Sequence, residues 1–301
     1  MHSNIHMLCF TASYAIALVL ELAGLWIRIG WRRLALLVSV AAGVLAHTWY
    51  LGQRVVDMPT APLASHHDWY LLAAWALATI YLLALIYYPR QSMGLFLLPA
   101  VLALAGASYF ASKIPLVAYQ TPRIWGRAHG IFLMLGAVAV LLGFLAGLMY
   151  LIQSYRLKHK RPTSGRLRLP SLEWLERVNS RSLGAATLFV AGGFFTGVIS
   201  RLAHQGGQNF VPWTDPVVLS LTAMLAWLIV AEVFRWVYPA ARQGRKVAYL
   251  TIVAFVFLLF VLAAITLRDS LHLALDAPPL LSQAETSIDN LRHLVQRGGS
   301  S

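Results

Sequence analysis

The chain has 301 residues, of which 59% are hydrophobic and only 12% are charged. Its mean hydropathy of +0.66 is far above that of soluble globular domains. These values exclude a soluble globular protein, and the single cysteine, Cys9, excludes both an intramolecular disulfide and a Cys-x-x-Cys redox pair.

Eight apolar runs follow one another along the chain. They cover residues 7–26, 34–53, 69–88, 93–111, 128–152, 183–202, 216–236 and 247–267. Each is close to the roughly 20 residues that a helix needs to cross a bilayer. A spanning backbone must satisfy its own hydrogen bonds, so we predict an all-α, polytopic membrane helix bundle with about eight transmembrane helices. The first run has no signal-peptide features and is expected to be a retained span.

Positive charges predict the orientation. The segment 154–182 carries eight Lys and Arg against two Glu, which is typical of a cytoplasmic loop. Segments 27–33, 89–92 and 235–246 then lie on the same side, so that 16 of the 24 Lys and Arg are inside and both termini are outside. The net charge of +13 is explained by this orientation and by attraction to anionic membrane lipid. Nucleic acid is not an expected partner.

The basic loop divides the chain. We expect a five-helix part at 1–153, the cytoplasmic loop at 154–182, a three-helix part at 183–275 and an outer amphipathic tail at 276–301. Residues 172–178 have helical spacing of apolar residues and are predicted to lie along the inner interface. The outer loop 55–68 is expected to be extended. In the tail, Ser282 and Glu285 form a capping-box pattern.

Two histidines lie at the ends of apolar runs. His129 opens the fifth run and His272 follows the eighth, and the charge pattern puts both outside. Neutral imidazole is the usual nitrogen ligand of haem iron, and two imidazoles from different helices can bind one iron from opposite sides. The alternative is that each histidine is a solvated or hydrogen-bonded interfacial residue.

The loop between the sixth and seventh runs combines aromatic and polar groups. Trp213 and Phe210 could stack on a porphyrin, with Asp215 beside them. Alternatively, Trp213 is an interfacial belt residue, and Asp215 followed by Pro216 is a helix cap with a first-turn proline.

Arginines near the outer ends of the runs could pair with the propionates of a porphyrin, because arginine binds carboxylates through two hydrogen bonds. The candidates are Arg201, Arg127 and Arg123. His204 is either a third ligand or a residue without a ligand role, and we favour the second interpretation.

Two types of ionisable residue lie within the apolar runs. His47 is in the second run, where an ionisable group is costly and is a functional candidate. The alternative is an interhelical hydrogen bond from a neutral imidazole. Glu21 and Glu232 lie near inner ends of their runs, where pairing with Arg28 and Arg235 favours a structural role.

Several of these segments resemble the cytochrome c assembly protein family, which includes CcsA-like and HemX-like integral membrane haem-handling proteins. They are His47-Thr-Trp-Tyr-Leu, Pro62-Leu-Ala-Ser, Trp75, the run from His129 to Leu151, Leu175-Glu-Arg-Val-Asn-Ser-Arg-Ser-Leu, Gly192-Gly, Thr196-Gly197, Gly244-Arg-Lys-Val-Ala-Tyr-Leu and His272. The similarity covers most of the chain, in the order expected for the family.

The signature of the family is reduced in this chain. The tryptophan-rich loop retains Pro212-Trp-Thr-Asp-Pro216, followed by two valines instead of Lys-Glu. The buried histidine that characterised members carry near the inner end of the next span is replaced by Val233 or Arg235, depending on the alignment.

The resemblance implies a membrane protein of cytochrome c-type biogenesis in the inner membrane of a bacterium. It would bind haem b non-covalently at its outer face through His129 and His272, under the loop of Trp213 and Asp215, while His47 would support an inner site or its packing. Its partners would be apocytochrome c and a CcsB-like protein, which would make this chain at most the membrane subunit of a haem-attachment complex. The alternative is a HemX-like regulatory or scaffold protein that has lost haem chemistry.

Overall fold

The computed structural model describes the backbone of residues 2–27, 31–57, 65–112, 123–159, 167–202, 213–238 and 245–275. Side chains are described from residue 7 in the first range, from 125 in the fourth and to 266 in the last. The described ranges contain eight helices and no strand. The helices are α1 His2–Ala23, α2 Arg32–Asp57, α3 His66–Tyr87, α4 Gly94–Phe110, α5 Arg123–Lys158, α6 Leu172–Leu202, α7 Pro216–Val237 and α8 Arg245–Leu275.

The predicted all-α membrane bundle is confirmed. By length and composition, six of the eight helices can cross a membrane: α2, α3, α5, α6, α7 and α8. Helices α1 and α4 are also apolar, but their described segments, Met7–Ala23 and Gly94–Phe110, are shorter.

The chain divides into two compact units, Met1–Val261 and Leu262–Ser301. In the first unit, α1 packs beside α2 and α4, and α3 packs beside the same two helices, which makes a four-helix group. Helix α5 contacts α3 and α4 and pairs extensively with α6, which in turn contacts α7. The second unit is described only through Leu275, where α8 ends.

The four-helix group has a buried core with paired polar groups. Tyr81 and Glu21 are almost completely buried, and the Tyr81 hydroxyl donates a 2.8 Å hydrogen bond to Glu21 Oε1. Arg32 Nη1 lies 3.5 Å from the other carboxylate oxygen. This pairing agrees with the structural role expected for Glu21, although the predicted partner, Arg28, lies outside the described residues.

The start of α3 is fixed by a reciprocal cap. The Ser65 hydroxyl accepts from the Asp68 amide, and the Asp68 carboxylate accepts from the Ser65 amide, as in a capping box. The guanidinium of Arg54 donates to both oxygens of Asp68, at 3.0 and 3.2 Å. The predicted extended loop at 55–68 is therefore helical at both ends, since α2 reaches Asp57 and α3 begins at His66.

Glycines allow α5 and α6 to approach closely. A Cβ added at Gly136 would lie 2.7 Å from Val190 Cγ2, and one added at Gly193 would lie 2.4 Å from Leu133 Cδ2. Helices in a membrane associate largely through van der Waals packing, which small residues permit at short range.

The basic loop is shorter than the sequence predicts. Helix α5 continues to Lys158, and α6 begins at Leu172 and runs unbroken to Leu202. Residues 172–178 therefore form the first turns of α6 instead of a separate interfacial helix.

Asn179 holds the first part of α6 in the bundle. It is buried, and with its side-chain amide oriented to match the donors and acceptors around it, Nδ2 donates to Thr251 Oγ1 and to the Gly143 carbonyl, both at 3.0 Å. Its Oδ1 accepts from the Ala248 amide at 3.2 Å, in the first turn of α8, where amides lack partners within the helix. One side chain thus joins α5, α6 and α8.

We predict that Asn179→Ala lowers the free energy of unfolding by about 1–3 kcal/mol, because it leaves buried polar groups without partners. Thermal unfolding of the detergent-solubilised chain measures the effect. Thr222→Ala is the control, since Thr222 is exposed and bonds only within its own helix. Equal midpoints for the two variants would contradict the role given to Asn179.

Candidate functional site

His129 lies near the start of α5 and faces α6. Its Nδ1 is 2.7 Å from the backbone carbonyl oxygen of Gly193, and the side chain is partly buried. A carbonyl oxygen can only accept, so Nδ1 carries the proton and the lone pair is on Nε2. No described residue forms a hydrogen bond with Nε2.

Glycine makes room for the imidazole. A Cβ added at Gly197 would lie 2.9 Å from both Cε1 and Nδ1 of His129, closer than real Cβ contacts come. The ring therefore lies against the backbone of α6. Any larger residue at position 197 would push it away from the Gly193 carbonyl.

Two further contacts surround this histidine. The Thr196 hydroxyl also approaches the Gly193 carbonyl, at 2.9 Å, so this oxygen lies between two donors. Next to His129 in α5, a Cβ added at Gly130 would lie 2.6 Å from the ring of Trp69 in α3. The imidazole is thus positioned by α6, while α3 packs against the adjacent residue.

Trp213 and Asp215 occupy the approach to α7. Asp215 Oδ1 accepts a 2.9 Å hydrogen bond from the Val217 amide, and Pro216 is the first helical residue. This confirms the helix-cap interpretation of Asp215. Trp213 is 52% exposed, and the guanidinium carbon of Arg201 lies 4.0 Å from the centroid of its ring. The structure therefore joins Trp213 to the end of α6.

Other predicted site residues cannot be placed in the same detail. His272 lies in α8, but its side chain is outside the described residues, and it belongs to the second compact unit. His204 and Phe210 also lie outside the described residues. The pairing of His129 with His272 therefore remains a prediction.

His47 lies in a different part of the molecule, between α1 and α2. It is completely buried, its ring stacks on Phe10 with centroids 4.1 Å apart and planes 2° apart, and its Nδ1 is 3.4 Å from the Tyr14 hydroxyl. Within the described residues its Nε2 has no hydrogen-bond partner. Phe10 covers one face of the ring, and the contact with Tyr14 is the interhelical hydrogen bond expected from the alternative interpretation.

A second buried histidine, His67, was not singled out from the sequence. Its Nδ1 donates to the Ser108 carbonyl at 2.7 Å, and its Nε2 accepts from the Tyr50 hydroxyl at 3.2 Å. These bonds use both ring nitrogens to join α2, α3 and α4. The Ser65-x-x-Asp68 pattern would have predicted the helix start, but not the partners of His67.

The C-terminal end of α7 holds an ion pair. Arg235 lies 2.7 Å from Glu232, and it also bonds to the hydroxyl and the carbonyl of Ser180 in α6. The expected pairing of Glu232 with Arg235 is confirmed. Val233, two residues before Arg235, is exposed on the surface of α7.

Comparison with known proteins finds no matching family model, no matching curated protein and no matching solved structure. Among the described residues, no group of three His, Cys, Asp or Glu side chains could hold a metal ion. The candidate site is therefore defined by His129 and its surroundings on α6.

We predict that Gly197→Ala displaces the His129 ring and lowers stability by about 1–3 kcal/mol, the usual cost of overpacking. Thermal unfolding again provides the measurement. Gly126→Ala is a matched control in α5, because nothing lies within 4 Å of the added Cβ. Wild-type stability of Gly197→Ala would show that the ring does not need this close approach.

Proposed function

We propose that this chain is a haem-binding membrane protein of cytochrome c-type biogenesis. It would present haem b, held non-covalently, at the outer face of the inner membrane of a bacterium. The recipient would be apocytochrome c, together with a CcsB-like partner protein. The proposal rests on the resemblance in sequence and on one feature of the structure, the environment of His129.

The protonation of His129 supports a ligand role. Histidines that bind metals usually donate the second ring nitrogen to a carbonyl or carboxylate, which fixes the tautomer and raises the basicity of the binding nitrogen. His129 makes this kind of bond to Gly193, and its Nε2 has no described partner. His129 would therefore suit a nitrogen ligand of haem iron.

The remaining roles follow from the sequence. His272 would provide a second imidazole ligand. When bound, haem would supply the vinyl groups that form thioethers with an acceptor protein. The single cysteine of this chain cannot provide the paired attachment, so the acceptor would supply the cysteines. The residues of this chain would hold and orient the macrocycle.

A HemX-like regulatory or scaffold protein is the second candidate. The observation that favours it lies at the C-terminal end of α7. There, Val233 or Arg235 occupies the position where the resembled family carries a histidine. Arg235 is already bound to Glu232 and Ser180, which holds α7 against α6. This arrangement stabilises helix packing and provides no imidazole for an inner haem site.

A visible spectrum distinguishes the two candidates. Protein purified from haem-replete cells is expected to show a Soret band, and His129→Ala and His272→Ala are each expected to lower haem occupancy. Loss of a supporting contact alone typically reduces metal affinity about 10–100-fold, and loss of a ligand should cost at least as much.

His159→Ala is the matched control for this spectrum. His159 follows the opposite end of α5, is exposed, and bonds to the Tyr155 carbonyl. His159→Ala should leave the spectrum unchanged. A wild-type protein without a Soret band would favour the scaffold function. A band unaffected by the change at His129 would overturn the ligand role of His129.

We infer that His47 has a packing role instead of a ligand role. His47→Ala should lower the free energy of unfolding by about 2–5 kcal/mol, because it creates a cavity beside Phe10 and Tyr14. The protein that remains folded should keep the Soret band of the wild type. A lost or shifted band at unchanged stability would instead make His47 a haem ligand.

A further inference from the structure

Arg201 lies on the same face of α6 as the residues that contact His129. Gly193, Gly197 and Arg201 are spaced four residues apart, a spacing that aligns side chains along one face of a helix. Arg201 is about one helical turn, roughly 5.4 Å, beyond Gly197 towards the end of α6. Its Cα–Cβ bond leans towards the start of the helix, which is the direction of Gly197 and His129.

Trp213 positions the guanidinium of Arg201. The 4.0 Å separation from the ring centroid is a cation–π contact, worth about 0.5–2 kcal/mol. The guanidinium is planar, and the geometry of its N–H donors matches the two oxygens of a carboxylate. Arg201 is partly buried, so this contact limits the rotamers of a long side chain.

The position of Arg201 separates it from the other arginines near the outer ends of the helices. Arg127 is exposed and lies only two residues from His129 on α5, a spacing that does not place two side chains on one face. The side chain of Arg123 is outside the described residues. Among the described cations, Arg201 therefore combines alignment with His129 and an aromatic support.

We propose that Arg201, held on Trp213, recognises the carboxylates of the macrocycle bound at His129. The outer site then selects an iron porphyrin with free propionates over one whose propionates are esterified. The inference rests on the proposed function and adds a basis for ligand selection to it. It also changes the role expected for Trp213. Instead of stacking on the porphyrin, its indole supports Arg201.

Paired titrations test this selection. The full chain, purified in detergent from cells with haem synthesis blocked, is titrated with ferric protoporphyrin IX and, separately, with its dimethyl ester. The wild type should bind the free acid about tenfold more tightly or better, as expected for a charge-assisted contact between arginine and carboxylate. Arg201→Gln should bring the ratio of the two dissociation constants close to one.

Two control variants separate the effect of the charge at position 201 from the effect of where the arginine lies. Arg127→Gln should keep the wild-type ratio. Arg201→Lys should give an intermediate ratio, because lysine retains the charge but lacks the planar pair of donors. Arg201→Lys also provides the test if Arg201→Gln does not fold, as judged by its gel-filtration profile and unfolding midpoint.

The outcomes distinguish this inference from the proposed function. A wild-type ratio near one, or a wild-type ratio retained in Arg201→Gln or in Arg201→Lys, would overturn the role of Arg201 and leave haem binding standing. Weaker binding of both porphyrins to His129→Ala at an unchanged ratio would support separate ligand and carboxylate contacts. Failure of the wild type to bind either porphyrin would overturn both proposals.

Discussion

Helices α5 and α6 approach each other along glycines, and this close contact determines what His129 can do. At Gly193 and Gly197 no side chain separates the imidazole from the backbone of α6, so the ring reaches a carbonyl oxygen at 2.7 Å. In a bilayer, helix association depends on such packing more than on the hydrophobic effect. The same contact that joins the two helices therefore fixes the tautomer of the histidine and leaves the lone pair on Nε2.

Three of the described histidines, His47, His67 and His129, have different surroundings, and the contrast bears on function. His67 has partners at both nitrogens, and His47 is completely buried against Phe10. Both therefore stabilise the contacts between α1, α2, α3 and α4. His129 is only partly buried and uses one nitrogen in the fold, so it combines a fixed orientation with a second nitrogen suited to a ligand. Arg201, four residues beyond Gly197 in α6, adds a cation that contacts the ring of Trp213.

Much of the fold could be predicted from the sequence, because the length of apolar runs and the backbone requirement of a bilayer leave few alternatives. The cap formed by Asp215 before Pro216 was also predictable, since it depends on neighbouring residues. The start of α6 was not, because it is the structure that shows residues 172–178 and the apolar run after them in one continuous helix, Leu172–Leu202, which Asn179 bonds to α5 and α8. The bond from His129 to Gly193 joins residues 64 positions apart and depends on tertiary packing.

Chemical rescue of a glycine variant tests the ligand role of His129 most directly. His129→Gly removes the imidazole and leaves space where it lay against Gly197. If His129 is a ligand, the haem-loaded variant should lose the spectrum of imidazole-bound iron, and added free imidazole should restore it by occupying that space. A wild-type spectrum in His129→Gly before imidazole is added would contradict the account, because the iron would then be held by other residues.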